Sequence, residues 1–290
     1  MSNFLIAHEI AIRLGFFFGI FILMATWEVL SPRRPLTTSK WVRWLNNIGI
    51  VFLNSFILRL LFPAAAVGMA ALATEQGWGL LNYYSVPYPI AVITAVIILD
   101  FVIYIQHIMV HAVPALWRLH RVHHADLDYD VTTGARFHPI EIILSMLIKF
   151  ATIMVLGPPI GAIVIFEVLL NATAMFNHSN VKIPLGIDRV LRLLVVTPDM
   201  HRVHHSVEDD ETNSNFGFNL PWWDRLFGTY RDQPAAGHDK MIIGIHYYRD
   251  PRQVSWLPGM LGLPFRKKIA GYVINRRPWD GEKNAEGNQG

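Results

Sequence analysis

The chain contains no cysteine, which excludes disulfides, thiolate metal ligands, iron–sulfur clusters and a cysteine nucleophile. Charge is scarce as well. Only 16% of the 290 residues are Asp, Glu, Lys or Arg, against 52% that are hydrophobic, a balance that departs from soluble domains towards membrane proteins. No dense Lys/Arg run with interleaved aromatics exists, so the net charge of +3 reads as membrane topology and nucleic acid is excluded as a partner. Neither His-Glu-x-x-His nor Glu-x-x-His occurs, which argues against a zinc metalloprotease and a ferritin-like carboxylate bundle. A Gly-rich nucleotide loop and a haem-attachment motif are missing too. What is present in quantity is histidine: thirteen residues, ten of them between His107 and His205. Any metal is therefore held by nitrogen and oxygen.

The pentapeptide His-Arg-Val-His-His occurs twice, at residues 120–124 and 201–205. Positions i, i+3 and i+4 of a helix share one face. His120, His123 and His124 thus converge, as do His201, His204 and His205, and His107 and His111 form a third set at i, i+4. Converging imidazoles suit iron, copper, zinc or nickel and not the oxygen-seeking magnesium or calcium. Two copies of one metal-gripping turn point to two metals or to two halves of a site. Without metal, so many histidines at one place would repel when protonated or leave ring nitrogens without partners. His124-Ala125-Asp126 matches a facial-triad spacing, yet that triad is usually built on a β-sandwich. Bis-histidine haem needs two or four histidines and not triplets.

Apolar stretches of bilayer-spanning length run from about Leu14 to Leu30, from Trp44 to Ala73 and from Tyr88 to about Val110. A fourth, Ile142 to Phe176, is broken by Gly157-Pro158-Pro159 and predicts a helical hairpin. The fold class expected is all-α: three integral membrane spans plus this hairpin, with a cytosolic helical cap holding a histidine-rich dimetal site. Residues 31–43 carry Arg33, Arg34, Lys40 and Arg43, whereas residues 74–87 carry no Lys or Arg. By the positive-inside rule, the first loop and all ten clustered histidines lie on the cytoplasmic face. A metal transporter, the competing class, would place ligands near the bilayer midplane with a path to both sides. Three segments are expected: membrane anchor helices over 1–87, a catalytic domain over 88–250 and a cytosolic tail over 251–290, in which the apolar Leu257–Phe265 lies on the membrane. The final NAEGNQG carries no ER retrieval signal, so a bacterial inner membrane is expected ahead of the ER.

Three histidine boxes, His107-x3-His111 and the two HRVHH copies, resemble those of the fatty acid hydroxylase and sterol desaturase superfamily of membrane di-iron oxygenases. Phe137-His138-Pro139-Ile140-Glu141 and Phe176-Asn177-His178-Ser179-Asn180 are similar to elements of its sterol desaturase branch. Asn215 to Tyr230, "NFGFNLPWWDRLFGTY", resembles the segment that closes the catalytic domain. The likeness covers roughly residues 95–250. It implies two iron ions, with zinc as a substitute in purified protein, and His107, His111, His120, His123, His124, His201, His204 and His205 as ligands. His138 and His178 are further candidates. The chemistry implied is oxidation of an unactivated C–H bond of a lipid by reduced iron and O2, as hydroxylation, desaturation or sterol methyl oxidation. No residue-based acid or base could do this.

Each turnover needs two electrons from a separate donor protein, ferredoxin-like or cytochrome b5-like with its reductase. Arg118, Arg121, Arg136, Arg189, Arg192 and Arg202 would suit an acidic donor. Asp126 and Glu141 are expected to accept ring N–H groups from metal-bound histidines. The other acidic residues after each HRVHH (Asp128, Asp130 and Glu208 to Glu211) read as solvated loops. Asp100 and Asn171, polar residues inside apolar helices, are expected to be functional or to pair helices. Trp222, Trp223 and Phe227 read as an interfacial aromatic belt.

Overall fold

The computed structural model describes residues 2–267 and is all-α across them. The membrane part comprises α1 (Ser2–Leu30), α2 (Lys40–Leu61), α3 (Ala65–Glu75), α4 (Leu80–Tyr83), α5 (Tyr88–Ala112), α7 (Pro139–Leu156) and α8 (Ile160–Asn177). Between α5 and α7 lies α6 (Pro114–His124), the first helix of the cap. The cap continues through α9 (Leu185–Leu191), α10 (Pro198–His204), α11 (Asp209–Thr212), α12 (Trp222–Leu226), α13 (Gly237–Lys240), α14 (Pro251–Val254) and α15 (Leu257–Gly262). Among the described residues, five stretches are long and apolar enough to cross a bilayer: Ala7–Leu30, Lys40–Tyr83, Tyr88–Ala112, Pro139–Leu156 and Ile160–Asn177. The first helix begins well before Leu14, and the second stretch is interrupted between α2 and α3.

Proline and glycine set the helix ends. Val113, extended ahead of Pro114, separates α5 from α6, because a residue before proline avoids the helical region. α7 stops at Gly157, which adopts φ +65° in the left-handed region, and Pro158-Pro159 bar its continuation. A Cβ on Gly79 would stand 2.1 Å from the Gly157 nitrogen, so the loop before α4 and this turn meet backbone to backbone at the end of the molecule away from the histidines. The chain does turn at Gly157-Pro158-Pro159, but its arms scarcely touch. α3 and α5 pack against both α7 and α8, while α1 runs along α8 and α2 along α7. Ala66, Ala70 and Ala73 give α3 a small-residue face buried against Ile153, Ile163 and Phe166. In lipid such close packing, and not release of water, holds helices together.

The basic loop 31–39 is stitched into the cap. Arg33 pairs with Asp199 at 3.3 Å and Asp239 at 2.5 Å, and Arg34 donates to the Met241 carbonyl at 2.8 Å. The lysine-free, arginine-free loop 74–87 lies with the Gly157 turn at the other end. Leu257–Phe265, expected to lie on the membrane, packs on α2 and α6 while Phe265 stays exposed. Met260 and Leu263 are fully buried with Ile50 and Trp117, each such side chain contributing roughly 1.5–3 kcal/mol where the alternative is water. Arg121 fastens the segment by donating to the carbonyls of Leu263 and Arg266. The tail beyond residue 267 lies outside the described residues.

Asp100 pairs elements, as expected for a polar residue in an apolar helix. It accepts the backbone N–H groups of Asn219 and Leu220 and the Trp223 indole at 2.8 Å. Trp223 is thereby tied to α5, and Phe227 stacks on Phe101 and Tyr104. Trp222 and Phe227 remain exposed, so two of the three aromatics keep an outward face.

Candidate metal centre

Nine buried histidines form two adjacent groups. His107, His111, His120, His124 and His204 make one, and His123, His178, His201 and His205 the other. Within each group one nitrogen per residue lies within 4.8 Å of all the others. The repeated pentapeptide is divided reciprocally. The first copy gives its i and i+4 histidines, His120 and His124, to the group of five and its i+3 histidine, His123, to the group of four. The second gives His201 and His205 to the group of four and His204 to the group of five. The i and i+4 side chains of a helix lie about 40° apart and i+3 to their other side, so each turn reaches both groups. The stacked His124 and His205 rings, with centroids 4.6 Å apart, join the groups. α5 completes the first group and the end of α8 the second.

The outward-facing ring nitrogens are mostly tied down. Nδ1 of His107 lies 2.8 Å from the Phe216 carbonyl, Nδ1 of His204 lies 2.7 Å from that of Ser214, and Nδ1 of His178 lies 2.8 Å from that of Ala174. His120 Nδ1 meets Glu141 Oε1 at 2.6 Å, and His111 Nδ1 meets Asn213 Oδ1 at 3.3 Å. Each partner is an acceptor, so the proton sits on Nδ1 and the Nε2 lone pair faces inward. Inside, His111 and His124 oppose Nε2 to Nε2 at 3.1 Å, as do His123 and His178. Nε2 of His107, His120 and His204, and both nitrogens of His201 and His205, are buried without a hydrogen-bond partner. Lone pairs converging in this way are costly alone and satisfied by a cation. The donor set fits two nitrogen-seeking metal ions.

Burial, reinforced by neighbouring imidazoles, holds His123, His124, His201, His204 and His205 well below the ordinary histidine range. Burial brings His178 down to about 3. All six are neutral at neutral pH, the form that ligates metal.

His138 is not brought to either group. It caps α7, its Nδ1 accepting from Ile140 N at 3.2 Å. Of the two carboxylates expected to hold ligating histidines, Glu141 does so and Asp126 does not. Asp126 is buried against Arg43 at 2.7 Å and Arg136 at 3.2 Å. Burial alone would raise its carboxyl, and the two guanidinium groups more than reverse this. Asp128 and Asp130, expected in a solvated loop, are buried too: Asp128 accepts the Thr38 N–H at 2.7 Å and Asp130 pairs with Arg43 at 2.5 Å. Glu211 is likewise buried, whereas Glu208, Asp209 and Asp210 are exposed. Among the arginines read as a donor surface, Arg121, Arg136, Arg192 and Arg202 are buried in internal contacts. Arg118 serves the C-terminal segment by donating to the Arg266 carbonyl at 2.9 Å, and Arg189 is exposed.

Sequence reasoning missed the loop of Asn213, Ser214 and Phe216, which orients three histidines of the group of five. Two of its three acceptors are backbone carbonyls, which no side-chain pattern reports. Asp224 fixes this loop, accepting the N–H groups of Phe216 and Gly217 at 2.8 Å each.

A largely apolar cavity of about 280 Å³ opens among α1, α2, α5, α7 and α8. Its lining includes His107 and His120 of one group and His123 and His201 of the other. A molecule within it meets both groups at once.

Residues 92–229 match the fatty acid hydroxylase family. Together with the paired histidine groups, this match supports membership in the superfamily of fatty-acid-hydroxylase-like and sterol-desaturase-like, histidine-rich di-metal oxygenases. Among individual relatives, it is 29% identical to ornithine lipid hydroxylase OlsE of Rhizobium tropici over 267 residues, 88% of this chain and 76% of the relative. It is 30% identical to alkylglycerol monooxygenase of Homo sapiens over 147 residues, 50% of this chain and 31% of the relative. A fatty acid hydroxylase, vlmA, of a Lecanicillium species is 29% identical over 174 residues, 56% of this chain and 46% of the relative. No solved structure matches the chain significantly.

Proposed function

We propose that this protein is a membrane di-iron oxygenase that hydroxylates a lipid at an unactivated C–H bond. The observation that carries the reading is that histidines of both groups line one cavity formed by bilayer-length helices. Nine histidines, without His138, would hold the metals: five at one ion and four at the other. Bound iron supplies the redox chemistry with O2 that side chains lack. The chain supplies geometry. Glu141 and the carbonyls of Ser214, Phe216 and Ala174 fix the ring orientations, and the apolar walls exclude water and align a lipid chain beside the site. Two relatives are named as an ornithine lipid hydroxylase and an alkylglycerol monooxygenase, which supports a lipid substrate here. The clustering of Arg33, Arg34 and Arg43 at the histidine end supports a cytoplasmic site, supplied with electrons by a separate ferredoxin-like or cytochrome b5-like protein.

The test is to express the protein in a lipid-rich bacterial host under 18O2 and compare membrane lipids by mass spectrometry. A lipid gaining one 18O atom, absent from cells with His120→Ala or His205→Ala, is expected. A lipid that only loses two hydrogens would make the protein a desaturase. No change in any lipid, with iron bound and reductant supplied, would overturn the reading.

A further inference from the structure

The cavity is not uniformly apolar. Among walls built from residues such as Val51, Ile103 and Ile142, it is lined by Asn54 and Ser55 of α2, Gln106 of α5, Ser145 of α7 and Asn171 of α8, five uncharged hydrogen-bonding side chains from four helices. Such groups are expensive in a bilayer-embedded region unless they have work to do. Two have capacity to spare. Asn54 is only 6% exposed and donates to the Phe137 carbonyl at 2.9 Å, yet its Oδ1 is buried without a partner. Gln106 accepts from Ser145 through its Oε1 at a long 3.3 Å, which leaves its amide N–H groups to donate. The cavity thus offers an acceptor and a donor. Among the described residues no Lys or Arg lines it, and the one carboxylate among them that does, Glu141, is engaged with His120.

Asn54, Gln106 and Ser145 lie close to the histidines. Gln106 precedes His107, Ser145 is one helical turn beyond Glu141, and the carbonyl that Asn54 holds belongs to Phe137, whose ring stacks on His123 at 4.4 Å.

We infer that Asn54 and Gln106, with Ser145 orienting Gln106, bind a neutral hydrogen-bonding group of the lipid, such as a hydroxyl, ether, ester or amide, next to the carbon presented to the metals. Rested on the oxygenase reading, this names the substrate class: a lipid attacked close to a neutral polar linkage. A free fatty acid would bring its carboxylate to neutral amides and a carboxylate, with no Lys or Arg side chain to pair with it there, and a plain hydrocarbon would leave the Asn54 and Gln106 amides unmatched.

Binding tests this independently of turnover. Tritiated 1-O-dodecylglycerol would be bound to the full-length, chelator-treated protein in nonionic detergent and competed with 1-dodecanol, dodecane and dodecanoate. Dodecanol should compete well, and dodecane and dodecanoate at least about tenfold less well, the discrimination expected when paired hydrogen-bonding groups go unmatched. Asn54→Leu and Gln106→Leu should each abolish the preference for dodecanol over dodecane while leaving dodecane affinity unchanged, which also reports an intact cavity. Equal competition by dodecanoate or dodecane in the wild-type protein, which needs no variant, would overturn the inference. So would variants that keep the preference. Selective binding without 18O transfer would remove the oxygenase reading and leave this one standing.

Discussion

Nδ1 of His120 lies 2.6 Å from Oε1 of Glu141, both buried. A residue of the first HRVHH turn is thereby locked by the carboxylate of a membrane helix that begins fifteen residues after that turn ends. The carboxylate accepts the Nδ1 proton and points Nε2 inward.

Glu141→Ala should therefore weaken one metal selectively. Affinity at the group of five is expected to fall by roughly 10–100-fold, while the group of four is unaffected. Dialysis against graded chelator would show one metal lost early and one retained. Glu141→Gln, which keeps an acceptor oxygen, should fall between the variant and the wild type. Simultaneous loss of both metals in Glu141→Ala would contradict this.

His178 and His138 separate cleanly. His178→Ala removes one of four inward nitrogens and should release the second metal. His138→Ala should leave both metals bound and cost about 1 kcal/mol through loss of the α7 cap. Metal content and thermal melting of the two purified variants check this, and metal loss in His138→Ala would refute the assignment.

Arg43 lies at the centre of a buried network with Asp126 and Asp130, and it donates to Thr133 at 3.1 Å. Arg43→Ala leaves Asp130 without its cation and should destabilise the cap by about 3–5 kcal/mol. The readout is apparent Tm in detergent. A variant that melts with the wild type would show the network to be dispensable.

Metal-free protein should be acid-labile. His123, His124, His178, His201, His204 and His205 have ordinary values near 6.5 in the unfolded chain and lower ones when folded. Below pH 6.5 the unfolded state takes up protons that the folded state refuses. Stability is thus fully present above about pH 6.5 and is lost as pH falls towards about 3, where His178 titrates. Each group contributes up to about 1.4 kcal/mol per pH unit. Melting of the chelator-stripped protein at pH 7.5, 6.5 and 5.5 should show a Tm that falls increasingly steeply, and a flat profile would contradict the buried neutral histidines.

Much of the centre could be read from spacing, because i, i+3 and i+4 histidines have no choice of face once the helix forms. The reciprocal division of the two HRVHH turns could not be, since it depends on how α6 and α10 dock. His178 stood alone in the sequence and joins its group only through the end of α8. The Asp126 assignment failed because carboxylates near histidines in sequence carry no sign of Arg43, 83 residues away. Gly157-Pro158-Pro159 marked a helix end correctly. The wedge of α3 and α5 between the arms of α7 and α8 is a tertiary fact that hydropathy does not encode. FHPIE is legible in retrospect: Phe137 stacks on His123, His138 caps, Pro139 starts α7 and Glu141 orients His120. The finer placement in the sterol desaturase branch rests on that element and NHSN alone.

The most direct test of the central claim is iron-edge X-ray absorption, with elemental analysis, on protein purified from iron-replete cells. Nine histidines over two ions predict two irons per chain, a first shell of nitrogen and oxygen only, and outer-shell scattering from four to five imidazoles per iron. A single iron, or fewer than three imidazoles per iron, would contradict the two-group centre.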